Sequence, residues 1–257
     1  MKAVLLAGGL GTRMREETEF RPKPMVEIGG RPVLWHIMKI LGQQGVGDFV
    51  VCAGYKAELI KDYFTNYRAL NQDFTVTLGD HQSIEYHDDH QEAEWRVTVS
   101  DTGASTMTGG RIKRVQKYVG NERFLATYGD GLADVDLDAL IRFHDSHGKI
   151  ATVTSVQPLS RFGVLDLDDE GGVRQFKEKP QVEGSISIGY FIFEPEIFDY
   201  IDGDDTVLEE GPLHRLATEG QIAAYPHPGF WQPMDTYRET LLLNELWASG
   251  DAPWRTW

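Results

Sequence analysis

Short runs rich in apolar and β-branched residues recur along the chain at 2–6, 48–53, 95–100, 123–128 and 150–156, a pattern that predicts strands. Between them, apolar positions fall three and four residues apart. Leu34, Ile37, Met38 and Leu41 form one such stripe and predict a helix over about 31–43, with Pro32 in its first turn. Further helices are read near 57–67, 110–119 and 136–147, the last opened by Asp136 as N-cap. Strand and helix alternating in this way predict an α/β fold. Its core is a mostly parallel mixed sheet with helices on both faces, and ligands bind at the carboxyl ends of its strands.

After Pro158 the rhythm changes. Segments 162–167 and 173–177 flank Asp168-Asp169-Glu170-Gly171-Gly172, which reads as a hairpin turn. A strand at 186–193 follows, then short helices near 195–201 and 206–219, a strand at 221–225 and a helix over about 236–248. This part forms a small C-terminal β/α extension of a single domain spanning 1–257. The two parts are 1–157 and 158–257. The acidic stretch from Gly79 to Glu94 breaks the pattern and is expected to be a loop; its His81, His87 and His90 lack metal-ligand spacing.

Composition narrows the function. With 41% apolar residues the chain can build a sizeable core, yet no run reaches the roughly 18 apolar residues of a membrane span. The first strand carries no charged leader or cleavage site, and the single cysteine, Cys52, sits in an apolar strand, which together point to the cytoplasm. A formal charge of −15 argues against nucleic acid and anionic membrane as partners. An acidic chain that binds a phosphate must therefore gather its cations locally. Arg13, Lys23, Arg111, Lys113, Arg114, Lys177 and Lys179 are available for that.

The densest chemistry lies at the start. The strand ending in Leu6 runs into Ala7-Gly8-Gly9-Leu10-Gly11-Thr12-Arg13, and Arg21-Pro22-Lys23-Pro24-Met25 follows. Glycines expose backbone N–H groups to a polyphosphate, while Arg13 and Lys23 add fixed charge. Met14 stands where a dinucleotide fingerprint needs its third glycine, and Thr12-Arg13 replaces the Lys-Ser/Thr of a P-loop. The pattern points to a nucleoside triphosphate handled for nucleotidyl transfer. That chemistry asks for alignment and charge neutralisation, and Mg²⁺ held by one or two carboxylates is its natural helper. Asp130, in Tyr128-Gly129-Asp130-Gly131, emerges at a strand end and is the first such carboxylate; Asp235 is the second, with a helix N-cap as its alternative role. Glu178-Lys179-Pro180 offers a cation for an acceptor phosphate and a carboxylate for sugar hydroxyls. Asp101 to Arg111 carries hydroxyls, Gly109-Gly110 and a cation ahead of a helix whose free N–H groups suit an anion or a base edge.

These motifs resemble those of the sugar-1-phosphate nucleotidyltransferases nearly end to end. The glycine loop and Glu178-Lys179-Pro180 are shared with uridylyl- and thymidylyltransferases. The 101–111 segment and Gly229-Phe230-Trp231-Gln232-Pro233-Met234-Asp235 resemble the cytidylyl group acting on glucose 1-phosphate. The resemblance implies transfer of a cytidylyl group from CTP to a sugar 1-phosphate, with UTP or dTTP, or another sugar, as the alternative. It further implies Mg²⁺, a homo-oligomer and a place in surface polysaccharide synthesis, with 1–157 as the nucleotide-binding core and 158–257 as the sugar-phosphate-binding and C-terminal part. It assigns the nucleotide to Leu6, Ala7, Gly8, Gly9, Leu10, Gly11, Thr12, Arg13, Lys23, Thr106, Arg111 and Gly129. The sugar phosphate goes to Tyr128, Glu178, Lys179, Gly189 and Tyr190, the metal to Asp130 and Asp235, and catalysis to Arg13, Lys23 and Lys179. One departure stands out: where the family usually shows Asn-Gly-Gly, this chain has Ser187-Ile188-Gly189. Strand alternation sends Ser187 and Ile188 to opposite faces.

Overall fold

The computed structural model describes residues 1–257 except 80–82, 88–90, 159–161 and 182–183, and only the backbone of Arg13, Arg15 and Glu16. The apolar runs fold as expected into a central sheet. Its strands are β1 (Lys2–Ala7), β2 (Asp48–Ala53), β3 (Arg96–Asp101), β4 (Phe124–Tyr128), β5 (Ala151–Val156), β6 (Ile186–Phe193) and β7 (Ile222–Pro226). They lie in the order β7-β5-β6-β4-β1-β2-β3. β1 is parallel to both β2 and β4, β2 to β3 and β5 to β7, while β6 runs antiparallel between β4 and β5. Because β6 sits inside the sheet, the portions before and after residue 157 share one core.

Alternation along β1 divides that core. Ala3, Leu5 and Ala7 face one side with α1 (Val33–Gln43), whereas Val4 and Leu6 face the other with Ile112 and Val115 of α3 (Thr108–Val119). The remaining long helices are α2 (Ala57–Thr65), α4 (Leu137–His147) and α5 (Tyr237–Ser249). Asp136 caps α4 as expected, accepting from the Ala139 amide at 2.9 Å.

Several elements differ from expectation. Pro32 precedes α1, in extended backbone, and Arg31–Pro32 pairs with Glu27–Ile28. The 79–94 stretch is not wholly loop: Ser83–Tyr86 pairs with Phe74–Thr77, where Val76 and Ile84 lie cross-strand. His81 and His90 lie outside the described residues, and His87 meets Thr75 at 2.8 Å. The helix read over 206–219 is confined to Pro212–Thr218, since residues 207–211 form turns ending in Gly211 and Pro212 cannot donate an amide into a preceding helical turn. Segment 195–201 is a 3₁₀ helix, Pro195–Tyr200.

Ser187 is exposed, while Ile188 joins Tyr190 and Ile192 in the core, and neither lines the cleft described next. No described helix is long and apolar enough to cross a membrane.

Candidate active site

A cavity of about 360 Å³ opens at the carboxyl ends of β1 and β4, where Leu6 pairs with Tyr128. The glycine loop forms one side of it. Gly11 has φ +62, and a Cβ there would lie 2.7 Å from Thr18 Cγ2, so the turn accepts only glycine without displacing Thr18. The Thr18 hydroxyl fixes the loop by sharing its one hydrogen between the carbonyls of Met14 (2.8 Å) and Gly11 (3.1 Å).

Arg111 braces the loop from behind. It is 4% exposed, and its guanidinium donates to Gly8 O at 2.9 Å, Gly103 O at 2.8 Å and Thr102 Oγ1 at 2.8 Å. A Cβ on Gly8 would stand 2.0 Å from Arg111 Nη1, so that glycine gives the cation its room. Burial pulls the Arg111 pKa down from its usual value, although a guanidinium remains charged at neutral pH.

Lys23 projects from the 3₁₀ turn Lys23–Met25, stiffened by Pro22 and the buried Pro24. Its Nζ donates to Asp130 Oδ2 at 2.5 Å and Asp235 Oδ1 at 2.6 Å. Burial alone would lower the lysine pKa; the two carboxylates override it and hold the pKa above normal. The aspartates are brought together by a short antiparallel ladder in which Gly131–Ala133 pairs with Trp231–Pro233, Gly131 opposite Pro233. The Met234 amide closes it on Asp130 O at 2.9 Å. Asp235 does not cap α5. Thr236 does, in a capping box with Glu239, which leaves the Asp235 carboxylate facing Lys23.

Of the residues expected here, Leu6, Ala7, Gly8, Gly9, Gly11, Thr12, Lys23, Thr106, Arg111, Tyr128, Gly129, Asp130 and Asp235 line the cavity. Leu10 is exposed outside the lining, and the Arg13 side chain lies outside the described residues. Glu178 and Lys179 are exposed and do not line the cavity; Lys179 has φ +46. Gly189 stays behind Tyr128, where a Cβ would meet the ring at 2.1 Å. Tyr190 is a core residue whose hydroxyl donates to Gly131 O at 3.3 Å, away from the lining. The start of α3 is not an open anion site. The Gly109 and Gly110 amides donate to Thr206 O at 2.9 and 3.2 Å, and both glycines are small because the 204–206 backbone packs against them.

Sequence reasoning missed Pro24, Met107 and Thr108 in the lining. Thr108 stood within the hydroxyl-rich 101–111 segment; Pro24 is adjacent to Lys23 but carries no polar group to mark it.

Residues 2–219 match the model of the nucleotidyl transferase family. The chain belongs to this family. A glucose-1-phosphate cytidylyltransferase of Salmonella typhi is 53% identical over 260 residues, covering 100% of both chains. A probable glucose-1-phosphate cytidylyltransferase of Bacillus subtilis is 44% identical, again covering 100% of each. Among solved structures, HddC of Yersinia pseudotuberculosis shares the fold with a TM-score of 0.67 and 24% identity, covering 96% of this chain and 99% of its own.

Nucleotidyl transferases of this family generally use a divalent metal. The residues present fit one. Asp130 and Asp235 converge so closely that a single ammonium touches both at 2.5 and 2.6 Å, which is the donor set a hard cation takes when phosphates complete its shell. Among the described residues no third His, Cys, Asp or Glu joins them. Cys52 is buried with its thiol pushed up to about 12, which removes it from nucleophilic or metal chemistry.

Proposed function

We propose that the chain transfers a cytidylyl group from CTP to α-D-glucose 1-phosphate, giving CDP-glucose and pyrophosphate, with Mg²⁺ as the metal. The observation that carries the reading is the meeting of Lys23, Asp130 and Asp235 beside the glycine loop in one cavity. The names of the full-length relatives in Salmonella typhi and Bacillus subtilis support the choice of base and sugar.

In the reaction an oxygen of the sugar phosphate attacks the α-phosphorus. A new P–O bond forms, the bond to the β-phosphate oxygen breaks, and pyrophosphate carries off the electron pair. In this reading the amides of Gly8, Gly9 and Gly11 cradle the triphosphate, with Thr12 beside them, and Arg111 keeps the loop in shape from behind. Lys23 and Arg13 serve the α-phosphate and its neighbours. Thr106 and Gly129 border the nucleotide, and Lys179 and Glu178 are assigned to the acceptor's phosphate and hydroxyls. Held by Asp130 and Asp235, Mg²⁺ would supply Lewis acidity and neutralise phosphate charge. Tyr128 walls the acceptor side, backed by Gly189. We place the enzyme in the cytoplasm as a homo-oligomer; the exposed apolar side chains of Leu165, Leu167, Val173 and Phe176 on one hairpin support self-association.

The test is pyrophosphate release with CTP, UTP, dTTP, ATP and GTP against a panel of sugar 1-phosphates, with and without Mg²⁺. The proposal expects CTP with glucose 1-phosphate to lead in kcat/KM. A strong preference for UTP or dTTP would overturn the choice of base.

A further inference from the structure

The turn at 202–211 lies outside the cavity lining, yet it is bonded to two of its walls. On one side it takes up the start of α3: the Met107 amide donates to Asp204 O at 2.8 Å, and the Gly109 amide to Thr206 O at 2.9 Å. Arg114 adds a two-pronged pair with Asp204, at 2.7 and 2.5 Å. Glu209 then spans the gap to the other wall. Its Oε2 accepts from Thr108 Oγ1 at 2.7 Å, and its Oε1 accepts from the Tyr128 hydroxyl. Thr108 and Tyr128 both line the cavity.

A hydroxyl has one hydrogen to give, and an ionised carboxylate only accepts. Thr108 and Tyr128 have each spent theirs on Glu209. Thr108 Oγ1 also accepts from the Leu208 amide at 2.9 Å, which fixes its direction. The Tyr128 ring is held between Gly189, where a Cβ would stand 2.1 Å from it, and the Phe191 ring, nearly perpendicular to it with centroids 6.2 Å apart. Both hydroxyls belong to side chains that line the cavity and are therefore left with lone pairs only.

We propose that Glu209 is a positioning residue that makes Thr108 and Tyr128 acceptors only, so that this end of the cleft receives an uncharged, hydrogen-donating part of a substrate and turns phosphate away. Two groups have that chemistry in the proposed reaction: the N4 amino group of cytosine and the hydroxyls of the sugar. The inference rests on the proposed cytidylyl transfer. It leaves the phosphates to the glycine amides and Lys23, which line the same cavity.

The test is steady-state kinetics on wild type, Glu209→Gln, Tyr128→Phe, Thr108→Val, and Glu209→Gln combined with each of the other two. A glutamine has an N–H₂ that offers a hydrogen to one hydroxyl and frees that hydroxyl to donate into the cavity. Glu209→Gln should lower kcat/KM by about tenfold or more, chiefly through KM, with the melting temperature within about 2 °C because the side chain is exposed. Each double variant should be no worse than its more impaired parent, since the three side chains act as one unit. A reduced preference for CTP over UTP in Glu209→Gln puts the cytosine amino group at this end; reduced discrimination against deoxy sugar phosphates puts the sugar there. Activity within twofold of wild type, or losses that multiply in the doubles, would overturn the proposal. Wild type inactive with CTP but active with another triphosphate sinks the cytidylyl reading instead, and the same variants are then compared on the nucleotide it uses.

Discussion

His36 offers the sharpest test of how the C-terminal tail is held. It is fully buried on α1, with Trp35, Trp247, Trp254 and Trp257 rings at centroid distances of 5.1, 4.7, 6.2 and 6.5 Å. Its Nε2 lies 2.8 Å from Ile28 O, a pure acceptor, so Nε2 carries the hydrogen. Its Nδ1 lies 3.4 Å from Trp254 Nε1, a pure donor, so Nδ1 must be bare. A second proton would set two donors against each other in an apolar cage, and burial accordingly lowers the His36 pKa from 6.5 to about 4. The unfolded chain takes up that proton below pH 6.5, whereas the folded chain resists it down to about 4. The stabilisation is thus complete above pH 6.5 and is lost progressively as pH falls to 4. At about 1.4 kcal/mol per pH unit the loss amounts to about 3 kcal/mol. The assay is urea unfolding of wild type and His36→Gln, which keeps an amide donor for Ile28 and an acceptor for Trp254 but does not titrate. Shifts at His144, His147 and Glu194 are common to both proteins and cancel in the difference. The stability gap should move by about 3 kcal/mol between pH 7 and pH 4. Parallel curves, or an NMR titration putting His36 above pH 6, would refute the reasoning.

Three more outcomes follow from single contacts. Lys23→Met should cut kcat by about 10²–10³, as removal of one charged stabilising donor does, while calorimetry still detects divalent cation at Asp130 and Asp235. Gly189→Ala combines φ +79 with a Cβ 2.1 Å from Tyr128 Cδ2; it should destabilise by about 1–3 kcal/mol in urea and raise KM for the sugar phosphate. Gly110→Ala places a methyl 2.5 Å from Asp204 O, backbone that has no rotamer to yield, and should cost about 1–3 kcal/mol by the same measurement.

The sheet was legible because its inner strands are mostly buried and so read as largely apolar runs, with β2 and β6 matching their expected bounds and the others falling within a residue at each end. The glycine loop, Lys23 and Asp130 were legible because each sits at a strand end or beside a proline, where local sequence fixes position. What joins them was not. The Gly131–Ala133 and Trp231–Pro233 strands have three residues each, too few to show a period, and their pairing depends on the whole sheet having formed. The same holds for Gly109-Gly110. Their composition suggests an open helix end, but the reason for the missing side chains is a backbone segment far along the chain, at Asp204 and Thr206. Tyr190 was misplaced for a related reason: its register within β6 was readable, but not which side of the sheet the cleft would occupy.

Among the described residues, the two cations that line the cavity are paired in opposite ways, and the difference bears on how an acidic chain would attract a triphosphate. Lys23 is neutralised twice over, by Asp130 and Asp235. Arg111 spends its donors on the neutral oxygens of Gly8, Gly103 and Thr102. Hydrogen bonds to carbonyls satisfy the guanidinium's geometry without cancelling its charge, and its burial weakens screening by solvent. The field reaching an incoming phosphate from Arg111 is therefore stronger than that from Lys23, whose charge is released only when its carboxylates take another cation. In the proposed reaction that exchange would couple metal and nucleotide binding. A divalent ion at the aspartates would free the lysine for phosphate, and a phosphate drawing on the lysine would free the aspartates for metal. By linkage, each would then tighten the other by the same factor.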